Sequence, residues 1–211
     1  MSGSTHRGGR SRAARRSKMS ASSTDEADTP GRDADPRQTA RDIVLRQLTA
    51  TAKSRGQLAE KLAERDVPED IAWEVLDRFE EVGLVDDRAF AEMFVRSRAE
   101  TRKLSRSSLR RELAQRGITG EIADAALEQR SDEDELRDAR ALVRKKLPAS
   151  ADLTDRAERD RLTRRLVSML GRKGYPPSLA FGVVKDALAD LGAAAEDERT
   201  DLDGAEVWDT P

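Results

Sequence analysis

LAEKLAERDVPEDIAWEVL, residues Leu58–Leu76, returns twice further along the chain, and that recurrence decides the fold. A shift of 51 positions gives LRRELAQRGITGEIADAAL (Leu109–Leu127), and a further 57 gives LVSMLGRKGYPPSLAFGVV (Leu166–Val184). Each copy carries a leucine pair four apart, a basic residue, a turn and a large hydrophobe, then a second apolar stripe. Spacings of three and four put each stripe on one face of a helix. Chance does not hold such a register over three copies, so the copies read as a structural repeat.

Another amphipathic segment precedes each copy, at 38–50, 87–102 and about 133–147. The repeating unit is therefore three helices. Gly56, Pro68, Gly83, Gly117, Gly120, Pro148, Gly174, Pro176 and Pro177 fall between the stripes as stops. The expected architecture is all-α: an elongated array of three tandem three-helix repeats, at 38–85, 86–131 and 132–191. Residues 1–37 hold almost no large apolar side chain and read as a disordered basic arm, with 192–211 a disordered acidic tail.

Composition narrows the function. Among 211 residues there is no cysteine and a single histidine, His6, in the arm, so thiol chemistry and histidine-based triads or metal sites are excluded. No run of about 18 apolar residues is present for a membrane span, and the basic N-terminus lacks the apolar stretch of a secretory signal. A cytoplasmic protein without cofactor or metal is expected. No phosphate-binding glycine loop is present, since Gly171–Gly174 ends a helix instead of opening one.

The net charge of −2 conceals segments of opposite sign. Residues 1–20 carry six basic side chains and no acid, whereas 192–211 carry seven acids against Arg199. Residues 86–116 hold nine bases and five acids. There Arg96, Arg98, Arg102, Lys103, Arg106, Arg110, Arg111 and Arg116 surround a helix–turn–helix junction. Ser105 or its neighbour starts the second helix, with amide groups suited to an anion. A second set, Arg156, Arg159, Arg161, Arg164, Arg165, Arg172 and Lys173, lies in the equivalent helix of the third copy. Scarce aromatics argue against base stacking, and Trp73, Phe90 and Phe94 read as packing residues. Of Asp86 and Asp87, one reads as the cap of the helix that follows and the other as a charge complementing its positive end.

The stretch GLVDDRAFAEMFVRSR, Gly83–Arg98, resembles the hallmark segment of the RecX family, regulators of the RecA recombinase, and LRRELAQRGI at Leu109–Ile118 resembles its second signature. The resemblance covers about 38–191, and the three-by-three helix repeat is that family's architecture. It implies a non-enzymatic modulator that lies along the RecA–DNA filament, bridges neighbouring subunits and limits filament growth, and so depresses ATPase, strand exchange and coprotease activity. Carried over by position, Asp86, Asp87, Phe90, Ala91, Arg96, Leu109, Leu113, Gly117 and Ile118 are expected to define the fold. On charge alone, Arg88, Arg98, Arg102, Lys103, Arg106, Arg110, Arg111, Arg164 and Arg165 are the contact candidates. The expected partner is the RecA filament, with single- or double-stranded DNA as a further expected contact through its backbone phosphates, and the expected state is a monomer. A sequence-independent DNA-binding protein acting through the phosphate backbone is the alternative.

Overall fold

A computed structural model describes residues 35–148 and 153–205, with side chains to residue 194. Among the described residues there are nine helices and no strand: α1 Pro36–Ala50, α2 Arg55–Ala63, α3 Glu69–Glu81, α4 Asp87–Arg102, α5 Arg106–Ala114, α6 Gly120–Glu128, α7 Asp132–Lys146, α8 Arg156–Arg172 and α9 Pro177–Ala205. They close into three trios around separate apolar clusters. Ile43, Val44, Leu58, Leu62, Leu76 and Phe79 build the first. Phe90, Phe94, Val95, Leu109, Leu113, Ile118 and Leu127 build the second. Val143, Leu166, Leu170, Tyr175, Val183 and Val184 build the third. The repeated leucine pair lies at the centre each time, and none of its six members is more than 1% exposed.

The same turn closes the second helix of each trio. Val67 N donates to Leu62 O, Ile118 N to Leu113 O, and Tyr175 N to Leu170 O, at 3.1–3.2 Å. A residue with positive φ precedes each donor: Asp66 (55°), Gly117 (79°) and Gly174 (88°). This left-handed cap suits glycine and tolerates aspartate.

The trios are joined by a recurring interlock. Ser54, the buried N-cap of α2, donates its hydroxyl to Arg116 O at 2.6 Å. Gly56 meets Gly117 so closely that a β-carbon on Gly117 would stand 3.0 Å from the Gly56 Cα. One repeat later, Ser105 N donates to Lys173 O (3.1 Å) and Ser107 Oγ to Gly174 O (2.8 Å). The first amide of each of these helices is also taken by a carboxylate of the following trio: Arg55 N by Asp87 (2.7 Å) and Arg106 N by Glu135 (2.7 Å). The second helices of the first two trios thus insert their amino ends into the turn of the trio that follows. Ser54 both caps α2 through Gln57 N (3.3 Å) and bonds across the junction. Ser54→Ala is therefore expected to cost about 1–2 kcal/mol; a denaturation midpoint equal to that of the unaltered chain would refute the double role.

Two boundaries differ from the sequence expectation. The helix of the third trio does not stop near Gly192 but runs to Ala205, because Ala193–Ala195 and the following Glu and Asp residues carry the chain on with little propensity cost. The arm expected over 1–37 falls outside the described residues as far as residue 34, and so does the end from 206. At Pro36 the chain is already helical, capped by Asp35, which accepts from Arg37 N at 3.0 Å.

Candidate partner interface

The hallmark residues divide by task. Asp86 caps α4 by accepting from Ala89 N at 2.9 Å. Asp87, half-buried, instead reaches back to Arg55 N, and burial pushes its carboxyl up despite that hydrogen bond. Phe90, Ala91, Leu109, Leu113 and Ile118 are buried, and Phe90 and Phe94 stack with ring centroids 6.1 Å apart. Gly117 makes the close approach to Gly56. Arg96 is exposed on α4.

The contact candidates of the second trio are mostly engaged within the chain. Lys103, itself in the left-handed region at φ 48°, ion-pairs with Asp138 of α7. Arg106 pairs with Asp132 at 3.0 Å, Arg110 with Asp124 at 2.6 Å, and Arg111 donates to Ser108 Oγ at 2.8 Å. The amides at the start of α5, expected to be free for an anion, are filled: Glu135 takes Arg106 N, and the Ser105 hydroxyl takes Ser108 N (3.2 Å). The array supplies its own carboxylate where an external anion was expected. Lys103 and Arg106 consequently act as struts between trios, and Arg88 stays exposed.

A different grouping stands out. Arg98, Arg102 and Arg116 all converge on one carboxylate, Glu112, at 3.4, 4.0 and 3.9 Å. Arg98 and Arg116 also lie over the Phe94 ring, at 5.1 and 4.2 Å from its centroid, which fixes their planes. Lys173 enters from the third trio and donates to Arg102 O at 2.5 Å. Three guanidiniums therefore share a single acid, with the Lys173 ammonium close beside them. Burial lowers the pKa of Arg116, Glu112 opposes this, and the neighbouring charges of Arg98 and Arg102 lower it further. Burial and then Arg102 do the same to Lys173. Like charges gathered at this ratio are under mutual repulsion that an added anion relieves.

The outward face of α8 continues the theme. At 100° per residue, Arg161, Arg164, Arg165 and Arg172 lie within about 100° of arc and span about 17 Å. None of the four is ion-paired among the described residues, and Arg165 donates to Lys146 O at 3.1 Å. The last turn of α7 adds Arg144, Lys145 and Lys146. Counting charges along the sequence ranked the second trio first; the structure shifts the available cations toward the third and its junction with the second. The sharing of Glu112 was visible in sequence only as the Glu112–Arg116 spacing of four.

These features define a class: a tandem array of interlocked three-helix units with a cationic face and, among the described residues, no cluster of acids or histidines that could hold a metal. Family comparison is consistent with that class and narrows it. Residues 40–79 match the model described as RecX, first three-helix domain, and 86–127 match RecX, second three-helix domain. The Regulatory protein RecX of Streptomyces coelicolor is 47% identical over 162 residues, covering 77% of this chain and 84% of the relative. Its counterpart in Mycolicibacterium vanbaalenii is 44% identical, covering 72% and 83%. A solved regulatory protein RecX superposes with a TM-score of 0.59 at 26% identity over 72% of this chain and 73% of its own. RecX from Lactobacillus salivarius shares the fold, with a TM-score of 0.60 at 22% identity over 72% and 97%. The chain belongs to the RecX family, and with relatives so named its role is regulatory. No helix among the described residues is long and apolar enough to cross a membrane.

Proposed function

We propose that the protein restrains the RecA recombinase in the cytoplasm by binding the RecA–DNA filament, limiting its extension and with it ATPase, strand exchange and coprotease activity. It acts by occupying a surface, not by turning over a substrate. The observation that supports this reading, beside family membership, is the cationic face that crosses from α4 and α5 to α8 with one carboxylate among its central charges. Units held in series let several weak contacts act together on neighbouring protomers.

The unpaired stripe on α8 also supports a second reading, sequence-independent binding to DNA phosphates. The two separate by stoichiometry. On the filament reading, recombinase ATPase falls at protein levels far below those that coat the DNA; inhibition that needs enough protein to cover every nucleotide would leave only competition for DNA.

The face itself is tested by charge reversal at exposed positions that hold no junction together. Arg102→Glu, Arg161→Glu and Arg164→Glu combined should weaken filament binding by about tenfold or more, with the thermal midpoint unmoved. Full affinity in the triple variant would take this face out of the mechanism.

A further inference from the structure

The outward face of α3 answers to none of this. Trp73, expected from sequence to be a packing residue, is 43% exposed. It is nevertheless held in place: its indole N–H donates to Glu69 at 3.2 Å, and the Arg55 guanidinium sits 4.9 Å from the ring centroid. Arg55 is pinned in turn by Asp77 (2.6 Å) and Glu80. By helical position Glu69, Asp70, Trp73, Glu74, Asp77, Glu80 and Glu81 fall on one stripe about 140° wide with the indole inside it. The six carboxylates outnumber the three guanidiniums that touch them, Arg37, Arg55 and Arg78. Exposed pairs of this kind are individually weak, so their carboxylates can be drawn to other cations.

We propose that this face docks on a protein surface bearing clustered Lys or Arg side chains, with Trp73 as its central anchor. Tryptophan held rigid among polar neighbours has the character of an interface hot spot, with little rotamer freedom left to lose. A nucleic-acid strand is repelled by the same carboxylates, so the occupant is protein. Resting on the filament reading above, the proposal assigns different trios to the two components of a nucleoprotein: α3 of the first to the recombinase subunit, the arginine face of the second and third to phosphates.

The chain has two tryptophans, Trp73 and Trp208, so Trp208→Phe in the full protein leaves Trp73 as the sole reporter. Acrylamide quenching of its fluorescence is then measured with the RecA–DNA filament, with the recombinase alone and with DNA alone. Protection of about twofold or more is expected with filament and with recombinase, and none with DNA. Trp73→Ala and, separately, Asp70→Lys should each lower filament affinity about tenfold. Asp70 is exposed, so its reversal tests the face without disturbing Arg55. Protection by DNA alone, a Trp73 still open to quencher in the bound state, or full affinity in both variants would overturn the proposal. Absence of filament binding by the unaltered chain would remove the filament reading and this one together, whereas bound protein with an open Trp73 removes only this one.

Discussion

Gly174→Ala is expected to destabilise the protein by about 2–4 kcal/mol, lowering the thermal midpoint by roughly 5–15 °C for a chain of this size. Two effects combine. At φ 88° an L side chain is strained whatever the space around it. The space is also filled: a β-carbon there would lie 2.1 Å from Ser108 Oγ and 2.5 Å from Ser105 Oγ. Neither hydroxyl can easily retreat, since Ser105 is 1% exposed and caps Ser108 N, while Ser108 accepts from Arg111. The clash would push α8 and α9 off α5. Gly83→Ala separates the two effects, because Gly83 has φ 71° with nothing within 4 Å of the added carbon. That variant should lose only about 1 kcal/mol. Equal losses in the two variants would show that the junction is not tightly closed at Gly174.

Asp138→Asn should cost about 3 kcal/mol near neutral pH. Asp138 is 8% exposed and receives Lys103 from α4 and Arg130, the latter at 2.8 Å. An amide leaves the largely buried Arg130 and the partly exposed Lys103 facing one neutral group. Burial alone would raise the Asp138 pKa, but the hydrogen bonds from Lys103 and Arg130 prevail and hold it below its ordinary value. A depressed carboxylate contributes stability that is complete above its unfolded value of about 3.9 and is lost as pH falls through the lower folded value. The gap between unaltered and variant protein should therefore be widest at pH 7 and narrow below about pH 4. Denaturant titrations at the two pH values give the answer; a gap that stays constant would mean that Asp138 stabilises by packing instead of charge.

Much of the fold was legible because the repeat writes its core into the sequence three times. Leu58 and Leu62, with their counterparts, are buried for the reason their spacing suggested: one face of a short helix closing on its two neighbours. Ser131 and the acids after it follow the local chemistry of a helix start, with a capping box between Ser131 and Asp134.

Pairing across units was not legible. Lys103 meets Asp138 from 35 positions away and Arg106 meets Asp132 from 26, and no local pattern carries that information. A basic run therefore looked like an open contact surface when two of its members, Lys103 and Arg106, tie one trio to the next and most of the others pair within their own trio. Trp73 was a different case, because its placement three from Asp70 and four from Asp77 already set it on the charged stripe of α3, and only the habit of burying aromatics argued otherwise.

One residue sets the first trio apart from the two that follow. Asp66 holds the turn that Gly117 and Gly174 hold later, with the same hydrogen bonding and a similar backbone angle. In the later turns the missing side chain is the keyhole through which the preceding helix enters. Asp66 carries a carbon where that keyhole would be, so the first turn lacks the opening that the two later turns present to α2 and α5.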